Sequence, residues 1–106
     1  MALGEFEHVV LLAVLRLGEE AYGMEVRREI ERCTGRDVST GAVYATLDRL
    51  EEKGFVASAL GDPTPERGGR ARRIFEVTAA GSQALREARR ILARLSKGLF
   101  PAPGEA

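Results

Sequence analysis

The chain has 106 residues, 30% of them charged and 44% hydrophobic, with a formal net charge of zero. This length allows one domain with a small core, which a partner subunit would help to cover. One cysteine (Cys33) and one histidine (His8) exclude a disulfide framework and offer too few ligands for a zinc site.

The first predicted helix runs from Glu5 to Leu17. Phe6, Val9, Val10, Leu11, Leu12, Ala13, Val14 and Leu15 surround its axis. A helix apolar all round is buried on more than one side, so its second apolar side is expected to meet another chain. The run VVLLAVL is too short to span a bilayer, which takes about 20 residues. With no secretory signal in view, a cytoplasmic protein without a membrane partner is expected. Gly18 and Glu19-Glu20 break the pattern. A second helix follows over Gly23–Thr34, with Val26, Ile30 and Cys33 on one face and Gly35 as its stop. Cys33 is expected to be a buried structural thiol.

The third helix begins at STGAVYATLDRLEEKGFV. Ser39 is the N-cap, its hydroxyl suited to accept a first-turn N–H. Val38 and Val43 have the spacing of a hydrophobic staple, and Val43, Leu47 and Leu50 form the buried stripe. Ser39 to Leu47 carries no charge, whereas Asp48 to Lys53 holds five charges in six positions. Gly54 ends the helix. Phe55–Leu60 and Ile74–Val77 read as two strands, joined by a Pro- and Gly-containing turn, Gly61–Arg73. That makes a β-hairpin whose tip, Glu66–Arg73, has a net charge of +3. Thr78 caps a fourth helix from Ala79 to about Lys97. Leu85, Ala88, Leu92, Leu95 and Leu99 give it a coiled-coil-like seam, and PAPGEA (101–106) is expected to be a disordered tail. Charge is unevenly placed, −4 through Leu60 and +4 beyond it, which points towards a polyanionic partner.

Three helices, a hairpin and a further helix make a mainly α fold in the order of a winged helix-turn-helix. Residues 1–78 would form the DNA-binding unit and 79–100 a C-terminal dimerisation helix. In that architecture the third helix enters the major groove and the wing reaches over the neighbouring backbone. Helices normally gain from acid in the first turn, where free N–H groups favour negative charge. This helix leaves that place clear, as a phosphate-binding end would. Gly41 and Ala42 let backbone approach, and Ser39, Thr40, Tyr44 and Thr46 offer hydroxyls. Thr46 and Arg49 are the candidates for base contacts. Arg67, Arg70, Arg72 and Arg73 of the wing are suited to phosphates or a narrow minor groove. The competing reading of Tyr44 is a ring half-buried against the second helix; beside a basic wing, the backbone clamp is favoured. Asp48, Glu51 and Glu52 are then expected to lie away from the duplex.

The sequence resembles the PadR family of transcriptional regulators. The matching text is YGMEVRREI, STGAVYATLDRLEEKGFV and GGRARRIFEVTAAGSQAL. It includes the Gly-x-x-Tyr of Gly41 to Tyr44, the Leu-Glu-x-x-Gly of Leu50 to Gly54, and the wing closure from Phe75 to Gly81. The resemblance covers about Glu5 to Lys97. It implies a homodimeric repressor on a palindromic double-stranded operator. Tyr44, Ser39 and Thr40 would touch DNA backbone, and the C-terminal helix would pack on the partner's N-terminal region. A dimer face of Phe6, Val9, Leu12, Leu85, Ala88, Leu92, Leu95 and Leu99 agrees with that. Ala45 stands where the family often has proline, and Ile74-Phe75 where it often has two tyrosines. Some relatives stack a flat aromatic effector on tryptophan; with no tryptophan here, that mode is unsupported and any effector is unspecified. No cofactor is implied. A winged-helix module that binds protein is the alternative reading. An enzyme is not expected, since no nucleophile–base pair, metal cluster or glycine-rich phosphate loop stands out.

Overall fold

The computed structural model describes residues 3–61 and 72–100. Its elements are α1 (Glu5–Leu17), a short 3-10 turn (Gly18–Glu20), α2 (Gly23–Thr34), α3 (Thr40–Glu52), β1 (Val56–Leu60), β2 (Arg73–Val77) and α4 (Ala79–Ser96). Each end follows from local chemistry. Gly35 closes α2 in the left-handed conformation at φ 70° and donates to Glu31 O, and Gly54 lies at φ 80° beyond α3. Ser39 and Thr78 cap α3 and α4 through their hydroxyls. The strand expected from Phe55 begins one residue later. The Phe55 N–H is already given to Leu50 O and its carbonyl accepts from Thr78 N–H, so this residue closes α3 and seats α4.

α1 lies at the centre, packed on α2, α3 and β2. Val10, Leu11 and Val14 of α1 meet Val26 and Ile30 of α2, Val43, Leu47 and Leu50 of α3, and Val56 and Phe75 of the hairpin, all at most 2% exposed. Each such side chain contributes about 1.5–3 kcal/mol on burial. The strands pair antiparallel with Val56 opposite Val77 and Leu60 opposite Arg73. Tyr22 adds an isolated bridge to Ile74, and Phe75 N–H donates to Ala21 O. The segment before α2 thus extends the hairpin, a pairing that the sequence reading missed.

One buried ion pair braces this unit. Glu7, 7% exposed, accepts from Lys53 Nζ at 2.7 Å and from Gly4 N–H at 2.9 Å, with Arg49 at 3.9 Å. Burial raises its carboxyl pKa, but the Lys53 and Gly4 hydrogen bonds outweigh that and hold it below the ordinary 4.5.

Two expectations about burial need correcting. Cys33 is exposed, because no residue of α2 beyond Ile30 is buried. Its Sγ lies 3.5 Å from both Glu29 Oε2 and Arg32 Nη2. Leu85 is 3% exposed and belongs to the core of this chain, so it is spent before any second subunit arrives. The expected tail, 101–106, lies outside the described residues.

Candidate nucleic-acid interface

Burial of Val43, Thr46, Leu47 and Leu50 orients α3. Helical spacing then places Thr40, Gly41, Ala45, Asp48 and Glu52 on the opposite, exposed side. The N-terminal half of that side has no acid. Ser39 Oγ accepts from Ala42 N–H at 3.0 Å, and the N–H groups of Thr40 and Gly41 have no hydrogen-bond partner among the described residues. A Cβ at Gly41 would meet nothing within 4 Å among the described residues, so packing against them does not require glycine there. Free N–H groups on an uncluttered helix end suit an anion.

The C-terminal half of that side differs from expectation. Asp48 is exposed, one turn after Tyr44 and beside Ala45, so it does not lie away from the candidate face. Its charge is met from the wing. Arg73 Nη1 donates to Asp48 Oδ1 at 3.1 Å, and Nη2 donates to Glu51 Oε1 at 2.5 Å. Arg73 Nε donates to Ser58 Oγ at 3.2 Å, and that hydroxyl donates to Glu51 Oε2 at 2.7 Å. The Ser58 hydrogen bond, then Arg73, hold the Glu51 carboxyl below its ordinary value against the effect of burial. Burial works against charge on Arg73, and its bonds to Asp48 and Glu51 outweigh it.

Of the remaining candidates, Tyr44 is half-buried against the core, with its ring over α2. A Cβ at Gly23 would lie 2.2 Å from its Cζ and Oη. The ring therefore fills the place where a side chain on Gly23 would stand, which is the packing role ranked second from sequence. Thr46 is 2% exposed and its Oγ1 accepts from Arg49 Nη2 at 3.2 Å, so it faces inward and reaches no base. Arg49 is exposed but held on the flank towards Glu7. Arg72 stacks on the Tyr22 ring, 3.9 Å from its centroid, with no carboxylate partner among the described residues. Arg67 and Arg70 lie outside the described residues.

Residues 11–87 match the transcriptional regulator PadR-like family. The chain belongs to that family. It is 40% identical over 78 residues to Transcriptional regulator Rv3488 of Mycobacterium tuberculosis, covering 74% of this chain and 68% of that protein. Its fold matches a PadR-like transcriptional regulator from Bacillus cereus with a TM-score of 0.71 at 22% identity, over 89% of this chain and 86% of that one. It also matches F93 from STIV, a winged-helix DNA-binding protein, with a TM-score of 0.71 at 15% identity, over 92% and 98% of the two chains. The fold is therefore a winged helix, and the chain is a transcriptional regulator and not an enzyme.

In this PadR-like chain the Thr-x-x-Gly after the wing is a joint. Thr78 Oγ1 donates to Gly54 O at 2.6 Å and accepts from Gly81 N–H at 3.1 Å. A Cβ at Gly81 would stand 2.1 Å from Phe55 O, so only glycine lets α4 start so close to the end of α3. Where the family often has two tyrosines, Phe75 is 1% exposed in the core and Ile74 pairs with Tyr22. Past Leu85 α4 leaves the core. Leu92, Leu95 and Leu99 are 60–72% exposed. With Val9, Phe55, Ala84, Ala88 and Ile91, Leu92 lines a groove of about 890 Å³ between α1 and α4. Phe6, Val9 and Leu12 are half-buried and Ala88 likewise. His8 also lines the groove, where burial and then Arg89 hold its imidazole below the ordinary value.

Proposed function

We propose that this regulator binds a palindromic double-stranded operator as a homodimer and represses transcription from it. The observation that carries the reading is the outer side of the N-terminal half of α3, exposed, free of acid and opening with N–H groups at Thr40 and Gly41 that have no partner among the described residues. This end enters the major groove, with Ser39 and Thr40 on phosphates. Arg72, stacked on Tyr22 and unclaimed by acid among the described residues, reaches the neighbouring backbone. Arg67 and Arg70 are assigned to the same backbone from the composition of the wing. Tyr44 holds α3 against α2 and offers its hydroxyl at the edge of that face.

Dimerisation covers the apolar face that one chain leaves open. Leu92, Leu95 and Leu99 of α4 meet the Phe6, Val9 and Leu12 side of the partner's α1. In this reading residues 1–78 are the winged-helix unit and 79–100 the dimerisation helix, with the start of α4 packed into the first unit through Gly81 and Leu85.

Selection of bound sequences from a random duplex library tests this reading. The expected product is a palindrome with half-sites about one helical turn apart. Leu95→Glu is expected to give monomers by light scattering and to lose operator affinity. No enrichment of any duplex at low salt would favour the reading as a protein-binding module. The exposed carboxylates of Asp48 and Glu52 on α3 are the feature that favours that second reading.

A further inference from the structure

Adjacent arginines at the root of the wing have opposite surroundings. Arg72 lies on an aromatic ring and faces no acid among the described residues, whereas Arg73 has every guanidinium nitrogen engaged. Its partners come from the strand opposite (Ser58) and from α3 (Asp48 and Glu51). Its Cζ also sits 4.9 Å from the centroid of Phe75, a ring 1% exposed in the core. Three of its five N–H donors are committed in this way and its charge is shared by two carboxylates, so the guanidinium has one N–H on each Nη left for any other acceptor. The carboxylates in turn lie on or beside the side of α3 that faces outward.

We propose that Arg73 is a positioning residue for DNA binding and not a DNA contact. It ties the first residue of β2 to α3, fixing where the wing leaves the domain. It also offsets carboxylates that would otherwise repel the phosphates approaching α3. This rests on the DNA-binding reading above and assigns a different role to one residue of the candidate set. Like charges brought together across an interface repel, so acid on α3 is tolerated beside phosphates because Arg73 is in place.

The test is a cycle of full-length variants measured on a selected duplex over a salt series. The variants are Arg73→Met, which keeps an apolar stem over Phe75, Asp48→Asn with Glu51→Gln, and all three changes together. Arg73→Met is expected to weaken binding about tenfold or more at low salt and less at high salt, because salt screens the repulsion between the bared carboxylates and the phosphates. The amide changes should alter affinity less than about threefold beside Arg73, and recover most of the loss in its absence. A phosphate contact also lowers the slope, by about 0.9, but the amides then rescue nothing. That result, or equal amide effects in both backgrounds, overturns the assignment.

Hydrogen exchange without DNA supplies a second measurement. Backbone amides of β1 and β2 should exchange faster in Arg73→Met, and unchanged protection would overturn the tethering role. A wild type that binds no duplex fails the DNA reading itself, while the exchange result still decides whether Arg73 holds the wing to α3.

Discussion

The winged-helix unit and the outer part of α4 carry similar side chains with opposite fates. Leu11, Leu47 and Leu50 are wholly buried by their own chain, whereas Leu92, Leu95 and Leu99 are mostly exposed. Both sets recur at helical spacing, so spacing alone does not separate them. What differs is the number of elements that converge. α1, α2, α3 and the hairpin enclose the first set, while α4 past Leu85 has the edge of α1, Leu3 and Phe55 beside it among the described residues. The first region is a completed core, and the second is an exposed apolar surface that the proposed dimer would cover.

The comparison can be broken by truncation. Leu11→Ala is expected to lose about 2–5 kcal/mol of stability in chemical denaturation followed at protein concentrations too low for association. Leu95→Ala under the same conditions should change stability by less than about 0.5 kcal/mol. Equal losses would place Leu95 in the core and end the distinction. The joint between the regions is the next most sensitive place. Gly81→Ala sets a methyl against Phe55 O and is expected to cost about 1–3 kcal/mol, read as a lowered unfolding midpoint.

The brace at Glu7 sharpens the comparison through pH. Its folded carboxyl titrates below 4.5, so its contribution is complete above the unfolded value and is lost as pH falls through the folded one. Stability of the wild type should therefore decline below about pH 4.5. Glu7→Gln, expected to cost about 1–3 kcal/mol at neutral pH, should flatten that decline in urea titrations. Acid should leave the outer part of α4 comparatively unaffected, since its described carboxylate, Glu87, pairs with Arg90 at the surface.

The smallest effect concerns Gly41. Glycine inside a helix costs about 0.5–1 kcal/mol relative to alanine, and nothing among the described residues occupies the space beside it. Gly41→Ala is expected to raise stability by up to about 1 kcal/mol and to weaken operator binding. A variant both stabler and equally tight in a gel-shift titration would remove close backbone approach from the proposed interface.

Much of this was legible in the residues. The periodicity of α1 and α2, the Ser39 and Thr78 caps, and the glycine stops are local properties, and the structure reproduces them. The acid-free opening of α3 is likewise a run of neighbours. The errors arose where a residue's surroundings come from distant segments. Thr46 offers the same hydroxyl in a list as Thr40, but α3 turns it inward onto Arg49. Cys33 continues the stripe of Val26 and Ile30, yet the elements covering that stripe end first. Arg73 looks like one more wing cation until β2 sets it beside Asp48 and Glu51.

Sequence by itself determined the order of helices and strands, their caps and stops, an uncharged helix start and a run of arginines between the strands. Those features depend on neighbours within a turn or a few residues, where spacing is geometry. Only the tertiary structure decided which leucines are core and which arginine is already paired. It also showed why Gly23 and Gly81 bear no side chain, because Tyr44 and the Phe55 carbonyl occupy those places from elsewhere in the chain.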